Sequence, residues 1–384
     1  MVTERRTRTN LEREIRRRGQ TAEEFSEYAE TFAREHGMRA TLSARHLQRL
    51  MSGHGANGQP LGPVRPATRR LLEAILSQPI DELLSPPTEP TARTDSPSDP
   101  TAELRARLDA SRAIDHATVS LFQQKLEVTR VLDRRLGALG LLGELRELIR
   151  QIEEVMRHTL RTDIRAALAR ILVDCSTLAG WQSLDRGEIR ESWRHYDRAK
   201  TAARESQSTD LEAYATAAQS VVLVDIGCAA DAVDLTTNAR ALGAAGPGML
   251  RSWLAAAHGE ACAANGNRQQ CLDSFDSADR LMPSTPDATQ TPYLVFGAVH
   301  LARWRGGALA KLGDQEGVNV LSDALRNLDP TFARAEAALR VDLAQVFSAT
   351  GEHDAARQHA HHARQIAHTI GSARQRNRLA ALGV

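Results

Sequence analysis

The sequence has little lysine, few aromatic residues and almost no net charge, and each scarcity narrows what the chain can be. Lysine occurs only at positions 125, 200 and 311, arginine supplies the other positive charges, and the formal net charge is +1. The chain is therefore not a general polycation, so nucleic-acid contact would need a local basic surface. Aromatic residues make up 4% of the chain and the alternating pattern of strands is absent, so we predict an all-α protein.

Cysteines are few and long apolar runs are missing. Cys175, Cys228, Cys262 and Cys271 lack C-x-x-C spacing and are predicted to be small buried residues in a reducing compartment. No apolar run approaches the roughly 18 residues of a membrane span. The first ten residues lack the apolar core of a signal peptide. We therefore expect a cytoplasmic protein without membrane contact.

Motifs that carry catalysis are also missing. The sequence has no G-x-x-x-x-G-K-[ST], H-E-x-x-H or G-x-S-x-G pattern. His359 and His362, in a histidine-rich stretch near the C-terminus, have the spacing to share a metal on one helix face. A solvated helix face is the preferred interpretation, because no cysteine or suitably placed acidic residue accompanies them. We predict no enzyme activity, catalytic residue, metal or cofactor.

Residues 43–53, SARHLQRLMSG, have the pattern of the second helix of a helix-turn-helix. Ser43 is a preferred N-cap, and Gly53 suits the left-handed position after a helix. Leu47 and Leu50 lie on one side of such a helix and would face a small core. Arginine pairs well with guanine and glutamine with adenine. The predicted base-reading residues on the other side are Arg45, His46, Gln48 and Arg49. A solvated helix face is the alternative interpretation.

The surrounding sequence completes a pattern of five short helices. Thr21-Ala22-Glu23-Glu24 is a capping box, Pro66 suits a first helical position, and a DELL sequence ends at Leu84. The region resembles the lambda-repressor-like (Cro/CI, XRE) helix-turn-helix family, in the long Arg-rich form typical of actinobacterial regulators. The resemblance implies that residues 1–84 bind double-stranded DNA as part of a homodimer. The first motif helix begins earlier than in the family's compact motif.

Arginines outside the motif are candidates for phosphate contacts, which position a protein on DNA without reading its sequence. They are Arg16, Arg17, Arg18, Arg65, Arg69 and Arg70. Ordinary surface arginine is the alternative interpretation. Residues 85–101 contain five prolines and are predicted to form an extended linker. Residues 102–164 are predicted to be a helical connector, with 136–148 as a buried helix or a dimerisation seam.

The C-terminal half carries a repeat. Five glycines that would each end one helix and precede another lie 38 to 47 residues apart: Gly187, Gly227, Gly266, Gly313 and Gly351. Small residues stand five and twelve positions after most of these glycines. Small residues also stand seven positions before them, namely Gly180, Ser220, Gly259, Gly306 and Ala344. These positions resemble the tetratricopeptide repeat. The resemblance implies that residues 165–384 form an α-solenoid of paired helices.

Solenoids bind ligands along the concave wall that their first helices form. Counting back from each glycine gives the inward-facing positions Trp181, Tyr214, Trp253, Glu260, His300, Arg303 and Gln345. Aromatic anchors with a few charges suit a peptide or a small hydrophobic signal. The alternative is that each tryptophan only fills the packing between repeats.

These observations predict a DNA-binding transcriptional regulator whose helical-repeat domain senses a peptide, small-molecule or protein signal. The alternative is a tetratricopeptide scaffold for protein interaction whose helix-turn-helix has lost DNA binding, which the unusual helix spacing favours. Salt-dependent affinity for duplex DNA would separate the two, because phosphate contacts release counterions.

Overall fold

A computed structural model describes residues 8–17, 20–35, 38, 40–54, 59, 61–62, 64–76, 78–86, 100–137, 140–285, 287 and 289–383. All repetitive secondary structure in these ranges is α-helical, as the composition predicted. The chain divides into two compact units, Met1–Asp99 and Pro100–Val384. Most of the predicted linker, Gly37 and the candidate phosphate contact Arg18 lie outside the described residues. The side chain of Arg17 does so too.

The first unit contains five helices in its described part. They are α1 (Asn10–Arg17), α2 (Ala22–Glu35), α3 (Ala44–Ser52), α4 (Pro66–Leu76) and α5 (Ile80–Leu84). The predicted capping box is present, since the Thr21 amide donates to Glu24 Oε2 at 2.7 Å and the Glu24 amide to Thr21 Oγ1 at 3.2 Å. Apolar residues from all five helices share one core, to which α1 contributes Leu11 and α2 contributes Phe25. The unit therefore has a hydrophobic core of its own.

The second unit is built from consecutive helices that pack mainly on their neighbours along the chain. The first are α6 (Pro100–Arg112), α7 (His116–Leu136), α8 (Leu141–His158), α9 (Thr162–Asp185), α10 (Ile189–Glu205), α11 (Thr209–Asp225) and α12 (Ala229–Leu242). The rest are α13 (Gly248–Ala264), α14 (Arg268–Leu281), α15 (Ala298–Lys311), α16 (Glu316–Asn327), α17 (Ala333–Ala349), α18 (His353–Thr369) and α19 (Ala373–Leu382). None of the helices in the described ranges is long and apolar enough to cross a bilayer.

The region predicted to be a helical connector lies within this second unit. Leu126 of α7 and Leu145 of α8 share a core with Leu168 and Leu172 of α9, so residues 102–164 pack against the repeats. The helix expected over 136–148 is interrupted. Gly137 and Gly140 both have positive φ, +70° and +78°; α7 ends at Leu136 and α8 begins at Leu141. The buried leucines of α8 face the core of the unit and form no exposed seam.

The five predicted repeat glycines all adopt the left-handed conformation, with φ between +71° and +82°. Each follows the first helix of a pair: α9, α11, α13, α15 and α17. Glycine takes this conformation without the penalty that a Cβ would bring. A sixth such glycine, Gly371, separates α18 from α19 and was not predicted.

Small residues hold the two helices of each pair close together. Ser192 Oγ donates to the Gly180 carbonyl at 2.7 Å, which bonds α10 directly to the backbone of α9. In the fourth pair the register of the small residues moves by one position. There Gly317 and Ala324 are buried, while Val318 and Leu325 are only half-buried. The close contact is thus kept and shifted along α16.

Alanine at Gly306 is expected to destabilise the second unit. A Cβ there would lie 2.6 Å from Leu321 Cγ and 3.3 Å from the Leu321 backbone nitrogen. Overpacking of this kind costs about 1–3 kcal/mol, more than the gain of roughly 0.5–1 kcal/mol from helix propensity. Exposed Gly143 of α8, with no atom within 4 Å of its Cβ position, is the matched control and should gain stability as alanine. Urea unfolding measures both, and a stabilised Gly306→Ala would contradict the close packing.

Acid is expected to weaken the second unit partly through His258. Its Nδ1 lies 2.9 Å from Thr236 Oγ1, and burial, followed by the charge of Arg240, lowers its pKa from 6.5 to about 4. The folded state favours the neutral ring. The stability that the neutral His258 side chain contributes is therefore fully present above the unfolded pKa of 6.5, and it is lost as the pH falls from 6.5 towards 4. One such group changes the unfolding free energy by about 2 kcal/mol between pH 7 and pH 5.

Urea unfolding at those two pH values checks this, with His258→Gln as the comparison. The wild-type protein should lose more stability on acidification than the variant does. Equal losses in the two proteins would show that His258 titrates normally in the folded state.

The repeats bend until the two ends of the array meet. Helix α7 contacts α17, and α9 contacts α19. Arg334 at the start of α17 donates two hydrogen bonds of 2.8 Å to Asp133 of α7 and one of 3.1 Å to Asp185 of α9. Ser372, before α19, donates to the other oxygen of Asp185 at 2.5 Å. An open concave groove was expected, and this closure turns it into a partly enclosed cavity.

Candidate functional site

The concave side of the second unit encloses a cavity of about 760 Å³. Helix α7 and the odd-numbered helices from α9 to α19 supply most of its wall, and residues 293–296 between α14 and α15 cover part of it. The cavity is in the size range of small-molecule sites.

Most of the predicted groove residues meet in this cavity. Its lining includes Trp181, Tyr214, Trp253, Glu260, His300 and Arg303. Gln345 does not line it. The cavity ends near Asp342 of α17, and Gln345 lies on the same helix face about one turn beyond. That these residues bind a ligand stays a prediction.

One side of the cavity is aromatic. Tyr214 lies between Tyr293 and Trp253, with ring centroids 4.8 and 5.1 Å away. Trp304 continues the row, 6.0 Å from Trp253 and 5.5 Å from Phe296. Such spacings are those of interacting rings. The row presents a broad apolar surface with rigid side chains, which suits a flat apolar ligand.

Ion pairs line the rest of the wall. Arg130 Nη2 lies 2.9 Å from Asp174, and burial raises the pKa of Asp174 to about 6 against the opposing charge of Arg130. Arg374 donates to both oxygens of Asp225 and lies over the ring of Trp181 at 5.2 Å. Other lining pairs are Arg334 with Asp133 and Arg378 with Asp342. These arginines are therefore held by acidic partners of the chain itself.

Arg303 differs from them. Among the described residues no hydrogen bond or ion pair reaches its guanidinium, and its buried Nε has no partner. Glu260, also in the lining, interacts with Arg303 electrostatically but lies beyond ion-pair distance. His300, one turn before Arg303, is neutral at physiological pH, because burial and the charges of Arg303 and Arg134 lower its pKa to about 4.

Sequence reasoning missed several members of the wall. Arg130 lies on α7, before the recognised repeats, and Asp174 lies in the middle of α9. Tyr293 and Phe296 lie in the irregular segment that follows α14. Two of the missed residues carried a usable signal. Trp304 lies four residues after His300 on α15, and Asp174 lies seven residues before Trp181 on α9, so each shares a helix face with a predicted residue.

The predicted DNA-reading helix has the geometry that its sequence indicated. Ser43 Oγ accepts a hydrogen bond from the His46 amide at 3.3 Å, and Gly53 ends α3 with φ +72°. Leu47 and Leu50 are buried. The predicted readers on the opposite face are exposed, namely Arg45, Gln48 and Arg49.

Two of the predicted readers have contacts within the unit. His46 is half-buried, and burial, followed by the charges of Arg49 and Arg65, lowers its pKa. Gln48 Nε2 donates to Glu23 Oε1 of α2 at 3.0 Å. Arg45 and Arg49 are thus the best placed of the four to meet another molecule. Base reading by any of them stays a prediction.

The candidate phosphate contacts fall into two groups. Arg16 pairs with Glu12 at 2.6 Å, and Arg69 pairs with Glu73 and Asp81 at 3.1 and 2.8 Å. Arg65 and Arg70 are exposed, and neither has an ion pair to another described residue. The second group is better suited to phosphate, because its charge is not already neutralised.

Comparison with known proteins adds little to this picture. No family model and no curated protein matches the chain. Six chains of solved structures match. One is a putative kinesin light chain from Podospora anserina with nearly identical TPR-like repeats, 15% identical over 50% of this chain and 92% of that chain, with a TM-score of 0.33. The helical repeats of this chain are seen directly in the helix pairs of the second unit.

Proposed function

We propose that the protein is a two-part regulator whose second unit binds a ligand in the cavity and whose first unit binds DNA. The cavity is the observation that carries the proposal. It combines an aromatic wall with charged groups, and an apolar site with a few polar groups is the usual form of a small-molecule site. A partly enclosed cavity of this kind is not required of a solenoid that serves only as a scaffold.

The exposed face of α3 supports the DNA-binding part. A capped helix with two exposed arginines, on a small five-helix unit, offers side chains of the kind that read guanine in the major groove. Exposed Arg65 and Arg70 offer positive charge for phosphates. Ligand in the cavity would act on DNA binding through the second unit, which is a coupling between two sites.

A homodimer is part of the proposal, because paired half-sites multiply specificity. Helix α7 offers an apolar face for it, with side chains between 37% and 64% exposed: Leu121, Val128, Val131, Leu132 and Leu136. Light scattering that shows a monomer at micromolar concentration would contradict this part.

Native mass spectrometry of the chain purified from cells tests ligand binding. The intact protein is expected to carry an added mass that is released on denaturation. The variant Ala218→Trp/Ala338→Trp, which places two indoles on the cavity wall, should lose that mass. Ala110→Trp on the exposed side of α6 is the matched control and should keep it. An unmodified mass for every protein would contradict the proposal.

A protein-interaction scaffold is the second candidate. The hydrogen bond that occupies Gln48 favours it, because a reader held by its own chain must exchange partners to reach a base. The affinity of the full chain for duplex DNA at several salt concentrations distinguishes the two. A regulator shows a steep loss of affinity with salt, since phosphate contacts release counterions, and a scaffold shows no specific binding.

A further inference from the structure

We infer that the ligand of this cavity is an organic anion with a flat apolar body, whose carboxylate or similar acidic group is bound by Arg303. The inference rests on the proposed ligand-binding function and specifies the chemistry of that site. It follows from the contrast between Arg303, whose Nε is buried, and the four wall arginines that have acidic partners. The sixth lining arginine, Arg134, lies over the ring of Phe332.

Four lining arginines have acidic partners: Arg130, Arg334, Arg374 and Arg378. Four of the five lining acidic residues are used in these pairs. Within the described ranges no acidic residue pairs with Arg303, although its Nε is buried and the side chain lies in the cavity wall. Buried polar groups almost always have hydrogen-bond partners. An unpaired guanidinium with a buried Nε therefore indicates that its partner comes from outside the chain.

Leaving the guanidinium of Arg303 without a partner costs free energy, and an anionic ligand would offset that cost. Removing a charge from water without a partner is expensive, and burial is the main cause that lowers the pKa of Arg303. Arginine remains charged in proteins. A carboxylate, sulfonate or phosphate oxygen would offset the cost with charge-assisted hydrogen bonds, and the planar guanidinium donates two of them in parallel.

Glu260 is the unpaired acidic group of the wall, and it opposes an anion. Its interaction with Arg303 is electrostatic only, so it does not occupy the guanidinium. The lining as a whole holds more basic than acidic side chains, and His300 beside Arg303 is neutral. The balance of charges in the lining thus still favours an anionic ligand. Removing the charge of Glu260 should strengthen anion binding.

The row of aromatic rings indicates the chemistry of the ligand's other, apolar part. Trp304 follows Arg303 in the chain and its ring lies 6.0 Å from that of Trp253. A ligand whose acidic end meets Arg303 would therefore place its body along the row of rings. Rigid rings in such a row favour flat or extended apolar groups, which can stack on them.

Two fluorescent probes test the inference. One is 1-anilinonaphthalene-8-sulfonate, an aromatic anion, and the other is N-phenyl-1-naphthylamine, which has the same rings and no charge. The full chain is titrated with each. The sulfonate should bind more tightly. Arg303→Met should weaken it by roughly tenfold or more, as expected for the loss of a charged hydrogen bond, and leave the neutral probe within about twofold.

Matched variants define the controls. Arg305 lies on the same helix as Arg303 and pairs with Asp276 at 2.8 Å. Arg305→Met should leave the affinity for both probes unchanged. Glu260→Gln should tighten binding of the sulfonate and leave that of the neutral probe unchanged. Arg303→Lys should keep part of the wild-type affinity for the sulfonate. Retained binding of the neutral probe shows that each variant is folded. Leu121→Gln/Val128→Gln on α7 should leave both probes unchanged, which excludes binding to that exposed face.

The failures are distinguishable. If Arg303→Met leaves the sulfonate affinity unchanged while Ala218→Trp/Ala338→Trp abolishes binding of both probes, the cavity binds ligands and the anion inference is wrong. If neither probe binds, or binding is lost only in the α7 variant, the proposed ligand site fails and the inference fails with it.

Discussion

Replacement of Arg334 by methionine is expected to lower the unfolding free energy of the second unit by about 3–5 kcal/mol, the usual cost of breaking a buried ion pair by removing one partner. Asp133 and Asp185 would be left buried, at 5% and 1% exposure. Burial alone disfavours the charged form of Arg334, but these two carboxylates more than offset it and raise its pKa. The substitution therefore removes the charge that joins the two ends of the array.

Urea unfolding measures the loss. Arg326→Met on α16 removes an exposed arginine that pairs only with Asp323, and it should cost less than about 0.5 kcal/mol, as surface pairs do. The closed array predicts a further consequence, because the cavity exists only while α7 and α17 remain together. Probe binding should weaken in Arg334→Met under conditions where the helices are still folded. Equal stability of the two variants would show that Arg334 does not hold the array closed.

The double variant Arg45→Ala/Arg49→Ala is expected to abolish specific DNA binding. Each arginine bonded to guanine contributes about 1–3 kcal/mol of discrimination, so the pair should lower affinity for the specific site by roughly 30-fold or more. Both side chains are exposed on α3, next to buried Leu47 and Leu50, and their removal leaves the core of the first unit intact. Selection of genomic fragments followed by equilibrium titration measures the change.

The control variant also replaces two arginines by alanine, but outside α3. Arg13 of α1 and Arg34 of α2 are exposed and lie outside the predicted reading face. Arg13→Ala/Arg34→Ala should lower affinity only modestly and equally for all sequences, as phosphate contacts do. If the two double variants lose the same affinity with no change in sequence preference, α3 does not read bases.

The sequence predicted those features that local chemistry decides. The cap at Ser43, the capping box at Thr21 and the left-handed repeat glycines each follow from one residue type in one backbone position. The inward residues of the solenoid could be found by counting from those glycines, since a fixed repeat places the same helix face inward each time. Six cavity residues were identified in this way.

The features it did not predict depend on contacts between distant parts of the chain. The hydrogen bonds from Arg334 to Asp133 span 201 residues, and no periodicity marks them. Without that closure the wall was expected to be an open groove, and Arg130 and Asp174 were not recognised as part of it. The break at Gly137 is of the same kind. A Cβ there would lie 2.7 Å from Ile370, a constraint set by a distant helix end.

A crystal structure of the full chain, purified from cells that produce it naturally, would show whether the cavity holds a ligand. We predict electron density for a bound molecule in the cavity, with an acidic group within hydrogen-bond distance of Arg303 and an apolar body against Trp253 and Trp304. A cavity filled only by ordered water, with Arg303 bonded to a residue of its own chain, would contradict this prediction.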